Sequence, residues 1–138
     1  MIKRVFDLPL LLRATDTPEF ADQREVFTEW FDKPKNLMFA DGDNVGLATY
    51  EYPGVYSVHW FYQVRGREAL DLGRAMCQNL FDNYGAETLR AIIEKRLKAS
   101  RWATRQIGFK SHGFVTTAEG EEELFFATKA EFEGNNNG

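Results

Sequence analysis

Apolar positions change their period along the chain, and each change marks an element. Ala69, Leu72, Met76 and Leu80 recur at spacings of three and four residues, the repeat of one buried helix face. They predict a helix over residues 66–84, with Glu68 and Asp71 in its first turns, where the helix dipole favours negative charge, and Gly85 at its end. Upstream, residues 45–52 and 55–64 are rich in aromatic and β-branched side chains and flank Pro53-Gly54, which predicts two strands and a turn. An apolar strand at 36–40 precedes them, ending at Asp41-Gly42-Asp43-Asn44. Before that, Asp16-Thr17-Pro18-Glu19 reads as a helix start, continued by Phe20, Phe27, Trp30 and Phe31 at helical spacing. Downstream come a short strand at 89–93, a helix at 98–106 closed by Gly108, and a hairpin of strands 114–117 and 123–132 around Ala118-Glu119-Gly120. Helices, then βββ, α, β, α, ββ, make a mixed central sheet flanked by helices in one α/β domain over 1–133. The polar run 134–138 has nothing to bury and is expected to be a disordered tail.

The 138 residues suit a single domain, and a 43% hydrophobic, 14% aromatic composition supplies a core. Charges interrupt every apolar stretch before it could span a bilayer, and the N-terminus carries no cleavage pattern, which points to a cytoplasmic protein. The lone Cys77 allows no internal disulfide and reads as packing within a helix. The net charge of −4 is uneven: residues 63–110 hold ten basic and five acidic side chains (+5), the remainder seven and sixteen (−9). A basic segment on an acidic protein fits a localised anion, although a solvated helix face would show the same count.

The chemistry concentrates where that segment begins. Gln63-Val64-Arg65-Gly66-Arg67-Glu68-Ala69 ends a predicted strand and opens the long helix. A basic, glycine-containing turn into a helix N-terminus offers free amides and the positive end of the dipole to a pyrophosphate. With the helix at 98–106 and Gly108-Phe109 in register behind it, this run resembles the acyl-CoA-binding loop of the GNAT (GCN5-related N-acetyltransferase) superfamily, whose pattern is Gln/Arg-x-x-Gly-x-Gly/Ala. The resemblance covers roughly residues 37–132 and implies a GNAT-like fold. It implies that acetyl-CoA or CoA, held weakly, lies against Val64, Arg65, Gly66, Arg67, Glu68 and Ala69. Two departures stand out. Glu68 occupies the last Gly/Ala place, bringing a carboxylate toward a diphosphate. Leu97 and Thr104 fall where many members carry an Asn and a proton-donating Tyr, and Thr104 is the poorer acid.

For acid–base work the chain offers Glu51 in one central strand and His59 in the next, either placed to deprotonate an amine. An exposed strand carboxylate and a packed histidine in an aromatic strand are the plainer readings of the same residues. His112, in Ser111-His112-Gly113, reads as surface. Two histidines and one cysteine far apart argue against a metal site. The aromatic strand would suit RNA stacking, but no RNP-type motif accompanies it, which argues against nucleic acid. A narrower likeness, carried by Tyr50-Glu51-Tyr52-Pro53-Gly54-Val55-Tyr56, His59 and Arg65 to Ala69, is to small GNAT-like proteins of tailed bacteriophages linked to head or virion assembly. It implies a protein made in an infected bacterium, with virion or head proteins as partners. The sequence therefore leaves two functions open: an acyl-CoA-dependent N-acyltransferase acting on a small-molecule or protein amine, and a non-catalytic assembly module on the same scaffold.

Overall fold

Seven strands, β1 (Lys3–Arg4), β2 (Leu37–Asp41), β3 (Asn44–Tyr52), β4 (Val55–Phe61), β5 (Thr88–Glu94), β6 (Lys110–Thr117) and β7 (Gly120–Thr128), form one sheet. Their order across it is β1-β2-β3-β4-β5-β7-β6. The computed structural model describes residues 1–137, with side chains through residue 135. Neighbouring strands are antiparallel except β4 and β5, which are parallel. A parallel pair needs a long crossover, and the periodic segment after β4 supplies it as α3 (Gly66–Asn83).

Alternation along the strands splits the core between two faces. On the front, Val45, Leu47 and Met38 pack with Leu10 and Leu11 of α1 (Leu8–Ala14) and with Phe27 and Trp30 of α2 (Arg24–Asp32). On the back, Phe39, Val58, Leu89 and Phe125 pack against Met76 and Leu80 of α3, Ile107 of α4 (Lys98–Ile107) and Phe132 of α5 (Lys129–Asn137). Two glycines let α3 settle close to its neighbours. A Cβ on Gly46 would meet Met76 Sδ at 2.3 Å, and one on Gly73 would meet Ile107 Cδ1 at 2.5 Å.

The elements differ from the sequence expectations at their ends. The segment before residue 16 holds β1 and α1, which the periodicity reading left out; Asp7 caps α1 by accepting the Leu10 N–H at 3.0 Å, and Pro9 sits in its first turn. The helix expected from residue 16 is a 3-10 turn, Pro18–Phe20, followed by α2. β4 stops at Phe61 rather than Val64, because Asn44 Oδ1 replaces a strand partner and takes the N–H groups of Gln63 (2.7 Å) and Val64 (3.1 Å). β7 stops at Thr128 rather than Phe132. There the Thr128 hydroxyl accepts the Glu131 N–H at 3.2 Å, an N-cap that starts α5 and carries Phe132 onto Phe81. The run from Gly134, expected as a disordered tail, continues this helix to Asn137; Gly138 lies outside the described residues.

Candidate active site

β4 and β5 pair only at Val55↔Thr88, Tyr56↔Leu89 and Ser57↔Arg90. Beyond that they part, since each stays bonded to its outer neighbour: β4 to β3 as far as Phe61↔Val45, and β5 to β7 as far as Glu94↔Glu122. A cavity of about 520 Å³ occupies the gap. Its walls take side chains of both alternations. Val58 and Trp60 but also His59 come from β4, and Ala91 and Ile93 but also Ile92 and Glu94 come from β5. The cavity therefore crosses the sheet, joining the two faces.

Its back half lies between two helices. Ala69 and Leu70 of α3 face Ala103 and Ile107 of α4. Ala69 belongs to the first turn of α3, so this half opens beside the basic loop. There Gly66 has φ +63°, a left-handed conformation that side chains resist. Arg65 occupies the N-cap position without a side-chain cap, leaving the first-turn amides free for a ligand. Arg65, Arg67 and Glu68 are exposed, and among the described residues none of the three forms an ion pair. Val64 is committed differently: its N–H is held by Asn44, so the strand end offers a ligand only its carbonyl.

The front half carries His59. Its ring stacks on Phe61 (centroids 4.9 Å apart) and meets Phe20 edge-on at 5.7 Å. No protein group bonds its nitrogens among the described residues, and the side chain opens into the cavity. Crowding by surrounding protein withholds enough water to push its pKa below 6.5, against the opposing pull of Glu19. An imidazole that is neutral at pH 7 and free at both nitrogens can accept a proton. Glu51 is not brought to it. Glu51 Oε1 accepts the Ser57 hydroxyl at 3.0 Å and pairs with Arg90 at 3.3 Å, at the closed end of the β4–β5 junction and off the cavity wall.

Three other sequence candidates find their places. Thr104 is buried and its hydroxyl donates to the Ser100 carbonyl at 2.7 Å, so it has no proton for a ligand. Cys77 is fully buried on the inner face of α3, and burial pushes its thiol pKa up. His112 lies on β6 against Phe126, away from the cavity. Among the described residues no group of His, Cys, Asp or Glu side chains is arranged to hold a metal ion, and no helix is long and apolar enough to cross a membrane.

Two features escaped the sequence reading. Ser100 lines the cavity one turn before Thr104, and its hydroxyl is unpartnered among the described residues; the i−4 spacing from Thr104 was the available signal. The other is the fastening of α4. Glu123 on β7 accepts from Arg101 Nε at 2.7 Å, from the Ser111 hydroxyl at 2.5 Å and from Arg105. Only 1% of its surface is exposed, because the two arginines cover it near the molecular surface. Burial pushes its pKa up, but the Ser111 and Arg101 hydrogen bonds and the two guanidinium charges outweigh it and hold the carboxyl below its ordinary value.

No protein-family model matches this sequence, and no curated protein matches it. Solved structures do match its fold. An aminoglycoside acetyltransferase AAC(6')-Ib in complex with coenzyme A and kanamycin superposes with a TM-score of 0.76 at 15% identity, over 99% of this chain and 98% of that one. A mutant of spermidine N-acetyltransferase SpeG from Vibrio cholerae gives 0.76 at 9% identity, over 99% of each chain. A protein of Bacillus halodurans gives 0.74 at 13% identity, over 97% of this chain and 86% of that one. With its parallel β4–β5 pair splayed around a through-sheet cleft, this mixed α/β domain has the GNAT acyl-CoA N-acyltransferase fold.

Proposed function

We propose that this protein is an acyl-CoA-dependent N-acetyltransferase. The observation that carries the reading is the cleft that crosses the sheet where β4 and β5 part, with a basic, uncapped helix N-terminus at its back mouth and an unpartnered histidine at its front. The residues fit the cofactor. Arg65, Arg67 and the first-turn amides of α3 suit a diphosphate, and the small walls at Ala69 and Ala103 leave passage for a neutral pantetheine arm. The similar structures named above include N-acetyltransferases, one of them bound to coenzyme A.

Acetyl-CoA supplies the acyl group as a thioester, and the net exchange turns an ammonium and a thioester into an amide, a thiol and a proton. The chain's own residues do the rest. His59 accepts the acceptor's ammonium proton on a ring nitrogen, freeing the amine lone pair at the front of the cleft. Phe20 and Phe61 fix the imidazole plane. Glu51 has no part in this, since Arg90 and Ser57 occupy it. With Leu97 and Thr104 unable to donate a proton, holding the two reactants in register provides most of the acceleration. Glu68 stays at the third position of α3, where it interacts favourably with the dipole but weakens attraction for the diphosphate, so the cofactor is held weakly.

Titration calorimetry with acetyl-CoA tests the reading. Binding is expected, and Arg65→Ala with Arg67→Ala should weaken it by about one to two orders of magnitude. No binding at millimolar ligand overturns the enzyme. The assembly-module alternative, with virion or head proteins as partners, rests on the sequence likeness alone. It gains ground only if the wild-type protein turns over no amine and is nevertheless required for infectious particles.

A further inference from the structure

The front mouth of the cleft has an unusual charge balance. Glu19, Glu94, Glu119 and Glu122 line it, from three separate places in the chain, and among the described residues no lysine or arginine lines the cavity. Arg96 bonds Glu94 at 2.6 Å and reaches Glu19 at 3.5 Å, so one guanidinium serves two carboxylates. Glu119 and Glu122 have no cationic partner among the described residues; they share the single hydroxyl of Thr117, at 3.2 and 2.6 Å. Four carboxylates less one guanidinium leave about three uncompensated negative charges.

The β6–β7 hairpin shows that this is selective. Of the glutamates in 119–123, Glu121 pairs with Lys95 and Glu123 with Arg101 and Arg105. The two left unpaired are the two that line the cavity. Moreover, Glu122 sits directly opposite Glu94 across β5 and β7, a like-charge pairing that destabilises a sheet. Across the cleft, the exposed His59 presents ring nitrogens with no protein partner among the described residues, its ring packed on Phe20 and Phe61. Repulsion on one wall and a free acceptor on the other both lack the same thing, a molecule with several N–H⁺ groups.

We propose that the acceptor is a small polyamine carrying at least two ammonium groups, one delivered to His59 and another held between Glu119 and Glu122. This rests on the N-acetyltransferase reading for the fate of the first amine, but not for binding of the second. A monoamine leaves the carboxylate pair unmatched, a neutral acceptor gains no attraction from it, and an anionic one is repelled. Each added ammonium group gains about tenfold in affinity where the carboxylates are partly shielded from water.

The test is calorimetric titration of the full chain with butylamine, putrescine and spermidine at low salt, without CoA. Affinity should rise with charge, spermidine binding at least 100-fold tighter than butylamine. Glu119→Gln/Glu122→Gln should abolish the difference, while Glu121→Gln, which touches only Lys95, should keep it. The double variant removes repulsion, so its Tm should equal or exceed the wild type's, and a folded protein is available for the comparison. Equal affinities for the three amines, no binding of any, or an undiminished preference in the double variant each overturn the proposal. So does tighter binding of a lysine-rich peptide than of spermidine, which would make the acceptor a protein. Acetyl-CoA is titrated separately: failure there removes the enzyme reading, and failure of the amine series alone removes only this acceptor.

Discussion

At the residue scale, the proposed acetyl transfer depends on His59 being uncharged and unpartnered. Its lowered pKa leaves the imidazole able to take a proton at neutral pH, and the effect is lost when acid charges it first. In the pH profile of kcat/KM the acidic limb should therefore break below about 6.5, the ordinary histidine value. His59→Ala should lower turnover about 10²-fold or more and remove that limb. His59→Gln, which keeps polarity but cannot gain a proton, should match the alanine variant if the role is proton acceptance. A variant that keeps the wild-type rate and limb assigns the titration elsewhere, and near-UV circular dichroism checks that the Phe20–Phe61 packing survives. Glu51 carried an equal claim in the sequence. What separated the two was invisible there: the strand pairing that sets Glu51 beside Ser57 of β4 and Arg90 of β5.

At the element scale, α4 forms one wall of the cleft and is fastened by Glu123 through Arg101, Arg105 and Ser111. Its folded pKa is depressed, so its contribution is fully present above the unfolded carboxyl value of about 4.3 and fades as pH falls through the folded one. Glu123→Gln should cost about 2 kcal/mol at pH 7, below the usual 3–5 for breaking a buried pair because Arg105 is 43% exposed. In urea unfolding, the gap between wild type and variant should be constant from pH 7 to about 5 and narrow below about pH 4. A gap that persists unchanged in strong acid would show that the network's charge is not what fastens the helix.

The sequence showed the long elements because local pattern and tertiary packing agreed there. α3 repeats every three to four residues, and β3 and β4 are rich in aromatic and β-branched side chains around the Pro53-Gly54 turn. It failed at ends set by single side chains. Thr128 converts an alternating run into α5, and Asn44 ends β4 by bonding two amides nineteen and twenty residues away. The basic loop was legible as local chemistry. The acidic mouth was not, because its members meet only after β5, β7 and the Pro18–Phe20 turn come together.

At the scale of the whole molecule, the sheet is two antiparallel halves joined by three residue pairs of β4 and β5. Below that joint the inner edges of both strands face a cavity rather than each other, leaving backbone N–H and C=O groups without strand partners inside the protein. Unpaired strand edges favour a ligand that has amides of its own, as the pantetheine arm does. Bound there, it would bridge the halves. Hydrogen exchange read by mass spectrometry should show peptides covering residues 58–61 and 91–94 exchanging faster than the doubly paired core of β3 in the free protein. They should slow markedly on addition of acetyl-CoA, while β6 stays unchanged. Protection confined to residues 65–69 would mean that the diphosphate binds at the helix N-terminus without the arm entering the sheet, a geometry in which the thioester never reaches His59.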